Sequence, residues 1–387
     1  MHAGHSVPLS STRSNILDRG RFIWSPGVDL AVFGGSALIA LALAALAPRL
    51  ADEGGEAPLW AFVVLVVGVD VAHVWSTLFR TYLDRAELRR RPLLYAGVPF
   101  GCFALGFALH AISPNLFWRA LAYVAVFHFI RQQTGWVALY RAKAGERDRV
   151  DRVIDDVTVY AATLYPIAHW HAHMPRAFHW FVEDDFVAIP GLLDAMPIVR
   201  GVWFAALAVY VVRALSRALG GAAPNLGKHV VVATTAATWY VGIVATDGDL
   251  AFTAANVVVH GVPYMVLLWG YARARAAEPD VSPRSVATRI VRAGVPAFVA
   301  VLIGIAFFEE LLWDRIVWHA RPALFGGSVA SARGPVAPAS ALGACLAVSL
   351  LAVPQATHYV LDAVLWRRRD TGPAQARALG FGPSTSP

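Results

Sequence analysis

Cysteine, lysine and charge are all scarce in this chain. Of its 387 residues only Cys102 and Cys345 are cysteine, and both sit inside apolar runs. They read as buried thiols, neither a bridge nor a metal pair. Only Lys143 and Lys228 are lysine; arginine supplies the rest of the 33 basic residues. Charged residues make up 15%, against about 25% in a soluble domain. The first 27 residues are polar and hold no short apolar stretch before a small-residue cleavage site, so no removable signal peptide is expected. There is no glycine-rich dinucleotide loop, Walker motif, nucleophile elbow, HExxH or haem-attachment CxxCH.

What is abundant is apolar side chain, at 57%. That excludes disorder, a coiled coil, a disulfide scaffold and a collagen-like repeat, and it points to a polytopic membrane protein. The net charge of +7 falls in short loops between apolar runs. Membrane topology accounts for it, and nucleic acid is not expected as a partner. A bilayer core of about 30 Å needs roughly 20 apolar residues of helix. Ten segments qualify, near 28–47, 58–79, 93–112, 115–140, 153–173, 197–219, 228–246, 250–270, 288–312 and 340–366. Asp155, Asp156 and Pro166 interrupt the fifth.

With the N-terminus cytoplasmic, the basic residues gather on the inner side, as in the run Arg89, Arg90, Arg91 and the run Arg367, Arg368, Arg369. Only Arg49, Arg119, Arg176, Arg200, Arg315, Arg321 and Arg333 fall outside, and Arg131 alone lies within a span. This bias toward the inner side supports the count. The expected fold class is therefore all-α: an integral membrane bundle of about ten helices with both termini cytoplasmic, in a bacterial-type inner (plasma) membrane. Residues 1–27 form a cytoplasmic segment, 28–366 the transmembrane domain and 367–387 a disordered cytoplasmic tail. Segment 321–339, rich in Gly, Ser, Ala and Pro, reads as a mobile outer loop. No inverted repeat of the transporter kind is evident.

Ionisable residues within spans cost roughly 2.5–3.5 kcal/mol each on insertion scales and mark functional sites by default. Here they form a pattern. Asp70 and His73 share a helical face with Thr77 and Arg80; His128 shares one with Arg131 and Gln132. Asn256, His260 and Tyr264 are four apart, as are His358 and Asp362, with Gln355 one turn earlier. Residues three and four apart lie on one face. Four spans thus each carry one histidine with a hydrogen-bonding neighbour. His73, His128, His260 and His358 are the candidate metal ligands, although His73 and His358 are expected about 7–10 Å nearer the cytoplasm than the other two.

Asp70, Gln132, Asn256 and Asp362 are placed to orient the imidazoles or to ligate. Asp70, Arg131 and Asp362 are the catalytic candidates, and Arg131, Gln132 and Tyr264 the substrate-binding ones. Neutral imidazole suits zinc, iron and copper. Two histidines with a carboxylate suit Fe(II) with open positions, and three with a bound water suit a zinc hydrolase.

A second group, His169, His171, His173 and His179, lies at the outer end of the fifth span beside Trp170 and Trp180; it reads as an interfacial aromatic belt. Glu309 and Glu310 read as interfacial at the outer end of the ninth span. Asp155 and Asp156 are weaker candidates for the inner cluster. The arginine-rich loop 85–91 sets topology and attracts anionic lipid heads.

The motifs Asp70-x-x-His73, His128-x-x-Arg131-Gln132, Asn256-x-x-x-His260 and His358-x-x-x-Asp362 resemble those of histidine-rich polytopic membrane metalloenzymes. Among these the chain looks like the Brp/Blh-type carotene-cleaving dioxygenases, multi-span proteins with iron-binding histidines on several helices. The first span has no histidine, in which it differs from that family. The paired boxes of membrane desaturases are absent. Alkaline-ceramidase-like zinc hydrolases are similar in site chemistry, with fewer spans.

The resemblance implies a chemistry class: an iron oxidoreductase acting on a membrane lipid or other hydrophobic small molecule, supplied with electrons by a soluble donor. The alternatives are a zinc-dependent lipid hydrolase, haem held by histidines of two helices, and a proton-coupled transporter using the His/Asp residues as a relay.

Overall fold

The computed structural model describes residues 19–52, 56–326, 340–366 and 372–381. Every regular element among them is helical. The long helices are α1 (Pro26–Leu50), α2 (Leu59–Arg80), α4 (Pro92–Ile112), α5 (Pro114–Lys143), α6 (Arg149–Ala172), α7 (Met196–Leu219), α8 (226–245), α9 (Asp249–Ala276), α11 (Val295–Trp318) and α12 (Ala341–Leu365). Shorter ones are α3 (Arg85–Arg90), α10 (Val286–Ala293) and α13 (Pro373–Ala378).

The chain marks these boundaries with local chemistry. Asp148, Asn225, Ser285 and Ser340 each accept a backbone N–H from the first turn of α6, α8, α10 and α12. Such caps satisfy N–H groups that have no partner within the helix. Proline stands at the start of α1, α4, α5, α7 and α11, where its missing N–H costs nothing.

Seven helices, α1, α2, α4, α7, α9, α11 and α12, are long and apolar enough to cross a membrane. The protein is thus a helical bundle of the multi-pass membrane kind. The other three expected spans fall on α5, α6 and α8, which are helical but interrupted by polar residues such as Arg131, Asp155 and Lys228.

The structure differs from the expectation in three places. The ninth segment, 288–312, is two helices: Gly294 turns the chain at φ 93° between α10 and α11, a conformation that disfavours any side chain. The tail expected to be disordered carries α13, with Ala374, Gln375 and Ala378 buried; it packs against α9. Part of the outer loop, 327–339, lies outside the described residues, as do 367–371; the rest of that loop begins with a helical turn, Pro322–Phe325.

Helix α9 is the hub, buried over most of its length and packed on α1, α2, α8, α10 and α13. Its approach to α2 depends on Gly261. A Cβ there would stand 2.7 Å from Val69 Cγ1 and 3.2 Å from the Val69 carbonyl oxygen. Only a bare backbone lets the two helices close to this distance, and His73 and His260 lie at that crossing.

Candidate metal centre

The four histidines come from α2, α5, α9 and α12 and meet in the bundle. One nitrogen of each lies within 4.8 Å of one nitrogen of every other. The rings form a closed circuit of edge contacts: His73–His260 at 4.7 Å, His260–His128 at 5.0 Å, His128–His358 at 4.8 Å and His358–His73 at 4.9 Å between centroids. None is more than 5% exposed. The expected axial stagger is therefore closed.

The outer nitrogens explain how the rings are aimed. His358 Nδ1 bonds Thr77 Oγ1 at 2.8 Å. His73 Nδ1 faces Asp70 at 3.6 Å, and His128 Nδ1 faces Asp362 at 3.7 Å. The Thr77 bond favours the His358 tautomer with its Nε2 lone pair turned inward; His73 Nδ1 and His260 Nδ1 are buried without a hydrogen-bond partner. The Nε2 atoms of His128 and His358 are buried without a hydrogen-bond partner. Those of His73 and His260 face each other at 3.1 Å.

Buried polar atoms are rarely left orphaned, and a central cation satisfies four lone pairs together. Donors 2.0–2.1 Å from a zinc-sized ion span at most about 4.2 Å, so the observed separation is within a small adjustment of closure. The donor set fits a divalent ion of the borderline class.

Aromatic rings wall the centre. Phe129 stacks on His260 with centroids 3.6 Å apart, Tyr359 lies 4.8 Å from His128, and Tyr264 lies 5.2 Å from His358. Tyr264 also meets Thr77 Oγ1 at 3.2 Å, which places it beside the centre as a wall residue.

Some expectations need correction. Arg131 is exposed, and among the described residues its side chain bonds only Tyr160, at 3.4 Å. Residues three and four along are both near a given face, and α5 buries its Gln132 edge while Arg131 falls outside. Arg131 therefore has no place at the centre. Asp362 faces His128 of another helix rather than His358 of its own. Gln132 is buried with neither amide atom bonded. Asn256 donates to the Phe252 carbonyl at 2.9 Å and leaves Oδ1 free.

Asp155 pairs with Lys228 at 3.2 Å and Arg141 at 3.6 Å, and Asp156 with Arg141, away from the histidines. Of the second histidine group, His171 is spent on the Val187 carbonyl and Tyr123, while His169 and His173 stack on each other. Trp170 is buried against Phe186 and Phe178.

Two features escaped the sequence. Thr77 was visible as a polar neighbour on α2, yet its partner lies 281 positions away in α12. Glu309, read as interfacial, is buried and accepts from the indoles of Trp75 at 2.5 Å and Trp313 at 3.4 Å.

The two ends of the site differ. At one, a cavity of about 420 Å³ is lined by Asp70, Phe129, Asn256, Glu309 and Glu310 and runs to the loop residues Ala57, Trp180 and Arg321. At the other, Arg80 is buried beside Tyr271 and bonds Glu87 and Gln375 of α13. Arg377 ties α13 to the Ala274 carbonyl and Glu278.

Comparison of the chain with protein-family models, with curated proteins and with solved structures gives no match. The functional reading rests on the geometry of the site.

Proposed function

We propose that the chain is a membrane-embedded, iron-dependent oxidoreductase acting on a lipid-soluble substrate. It crosses a bacterial-type inner membrane ten times, with both termini cytoplasmic. The observation that carries this reading is the convergence of four buried imidazoles, two of them with orphaned inward nitrogens.

The donor set discriminates between metals. Catalytic zinc keeps three protein ligands and an open fourth position; four histidines would fill a tetrahedral zinc. A six-coordinate ion with the same donors retains two free positions, as open-site non-haem iron requires. Asp70 and Asp362, each facing an Nδ1, place two carboxyl groups behind the donors of a divalent ion. A porphyrin needs a flat slot, and rings in mutual contact at 4.7–5.0 Å leave none. A relay through the membrane needs openings at both ends, whereas α13 covers one. Its cover also leaves a soluble electron donor the flank of the bundle or the cavity side for its approach.

Iron in this position would supply one-electron and oxygen chemistry in a water-poor site. The chain's own residues do the rest. Thr77 holds the His358 tautomer, Asp70 and Asp362 stand behind His73 and His128, Phe129 and Tyr359 exclude water, and the cavity brings substrate to the Phe129–Asp70 wall.

The test is elemental analysis of protein purified in detergent without chelator. About one iron per chain is expected in the wild type and none in His128→Ala or His260→Ala. Stoichiometric zinc instead would overturn the iron assignment; a metal-free wild type would end the metalloenzyme reading.

A further inference from the structure

We infer that the cavity beside the four histidines is a binding chamber for an amine cation with an apolar body, a protonated or quaternary ammonium. This deepens the oxidoreductase reading and rests on it for one point, that the occupant is the substrate.

The walls carry two chemistries. The first is negative charge and hydrogen-bond acceptors. Asp70, Asp249, Glu309 and Glu310 all line the cavity, against Arg321 and His179 as the basic side chains. No ion pair within 4.0 Å joins Asp249, Glu309 or Glu310 to a cation among the described residues; Asp70 faces His73 at 3.6 Å. Glu309 accepts hydrogen bonds from two indole N–H groups, which fix its carboxyl group in place. Independently of the acids, Asn256 lines the same cavity, is 2% exposed, and leaves its Oδ1 without a donor. A buried acceptor of that kind awaits a hydrogen-bond donor or a positive charge.

The second chemistry is aromatic. Trp118, Trp313 and Trp318 lie 5.3–5.9 Å apart around one another, and all line the cavity with Phe129 and Phe181. Indole faces attract cations, ammonium groups above all. The wall already shows the affinity: the Arg321 guanidinium lies 3.6 Å from the centre of the Phe62 ring. A hard divalent cation would want six to eight converging oxygens; indole faces offer it none. An anion would meet four carboxyl groups and the Asn256 acceptor. A neutral lipid would leave both the Asn256 oxygen and the acids without partners. The volume of about 420 Å³ lies within the range of small-molecule pockets.

The experiment is titration calorimetry on the full chain in detergent, in its metal-loaded and chelator-treated forms. The probes are choline, its neutral isostere 3,3-dimethylbutan-1-ol, tetramethylammonium and hexyltrimethylammonium below its critical micelle concentration. Choline is expected to bind at least tenfold more tightly than the isostere, and hexyltrimethylammonium more tightly than tetramethylammonium. Glu310→Gln, on a half-buried carboxylate with no hydrogen bond to lose among the described residues, is expected to weaken choline severalfold; Glu309→Gln is expected to weaken it tenfold.

Equal affinity for choline and the isostere, or no binding of any ammonium, overturns the inference. So does saturable binding of Ca²⁺ or Mn²⁺ at the cavity with no competition by choline. Amine binding to a chain that never holds iron would leave the chamber standing and remove the oxidoreductase; iron without amine binding would do the reverse.

Discussion

At the scale of single residues, the site is governed by what stands behind each imidazole. A ligating histidine is aimed by the group on its far nitrogen, and losing that group typically costs 10–100-fold in metal affinity. Asp362 stands behind His128, 3.7 Å from its Nδ1. Asp362→Asn is expected to weaken metal binding by about that factor in a chelator-competition titration, with thermal unfolding of the metal-free protein unchanged. Unaltered affinity would mean that the carboxylate is a bystander. Arg131→Ala is the matching control, because that side chain lies on the outside of α5.

The residue identities of the site were legible in the sequence, since each histidine sat in an apolar run where burial has to be justified. The pairing was not. His358 and Asp362 share a helical face, yet the carboxylate crosses to α5, because i,i+4 spacing fixes a face and leaves the partner to the packing. Arg131 failed for the same reason: three residues from His128 lies at the edge of the face, and only neighbouring helices decide which edge is covered.

At the scale of elements, the crossing of α2 and α9 sets the distance between His73 and His260. A methyl at Gly261 would collide with Val69. Overpacking of this kind costs about 1–3 kcal/mol. Gly261→Ala is expected to lower the unfolding temperature in detergent and to reduce bound metal. Val69→Ala in the same chain removes the colliding Cγ1 and is expected to restore part of both. A fully stable, fully loaded Gly261→Ala protein would show that the helices have slack. The element map was largely readable beforehand, because apolar length and caps are local properties. The exceptions were also local: Gly294 interrupts a run that hydropathy treats as continuous, since averaging over a window hides one turn residue.

At the scale of the molecule, one end is covered by α13 and the other holds the cavity. Under the ten-crossing topology the cavity opens on the outer side. Single cysteines placed in a background with Cys102 and Cys345 replaced by alanine test this. Gly145→Cys and Ser282→Cys are expected to react with a membrane-impermeant maleimide only after the membrane is opened, whereas Asp184→Cys and Asp247→Cys are expected to react in intact cells. Labelling of all four from one side would overturn the topology and, with it, the orientation of the cavity.

The amino-acid order alone determined that the chain is a helical membrane bundle, where its helices run, and that four histidines sit within them. Each follows from a property of a short stretch: apolar length, a cap, a charge too costly to leave unexplained. Only the tertiary structure decided that the four rings meet, that Thr77 and Asp362 face histidines of other helices, that Glu309 turns inward, and that α13 closes one end. Those are relations between segments up to 295 positions apart. They are set by how helices pack along and around one another, a degree of freedom on which helical periodicity within one segment places no constraint.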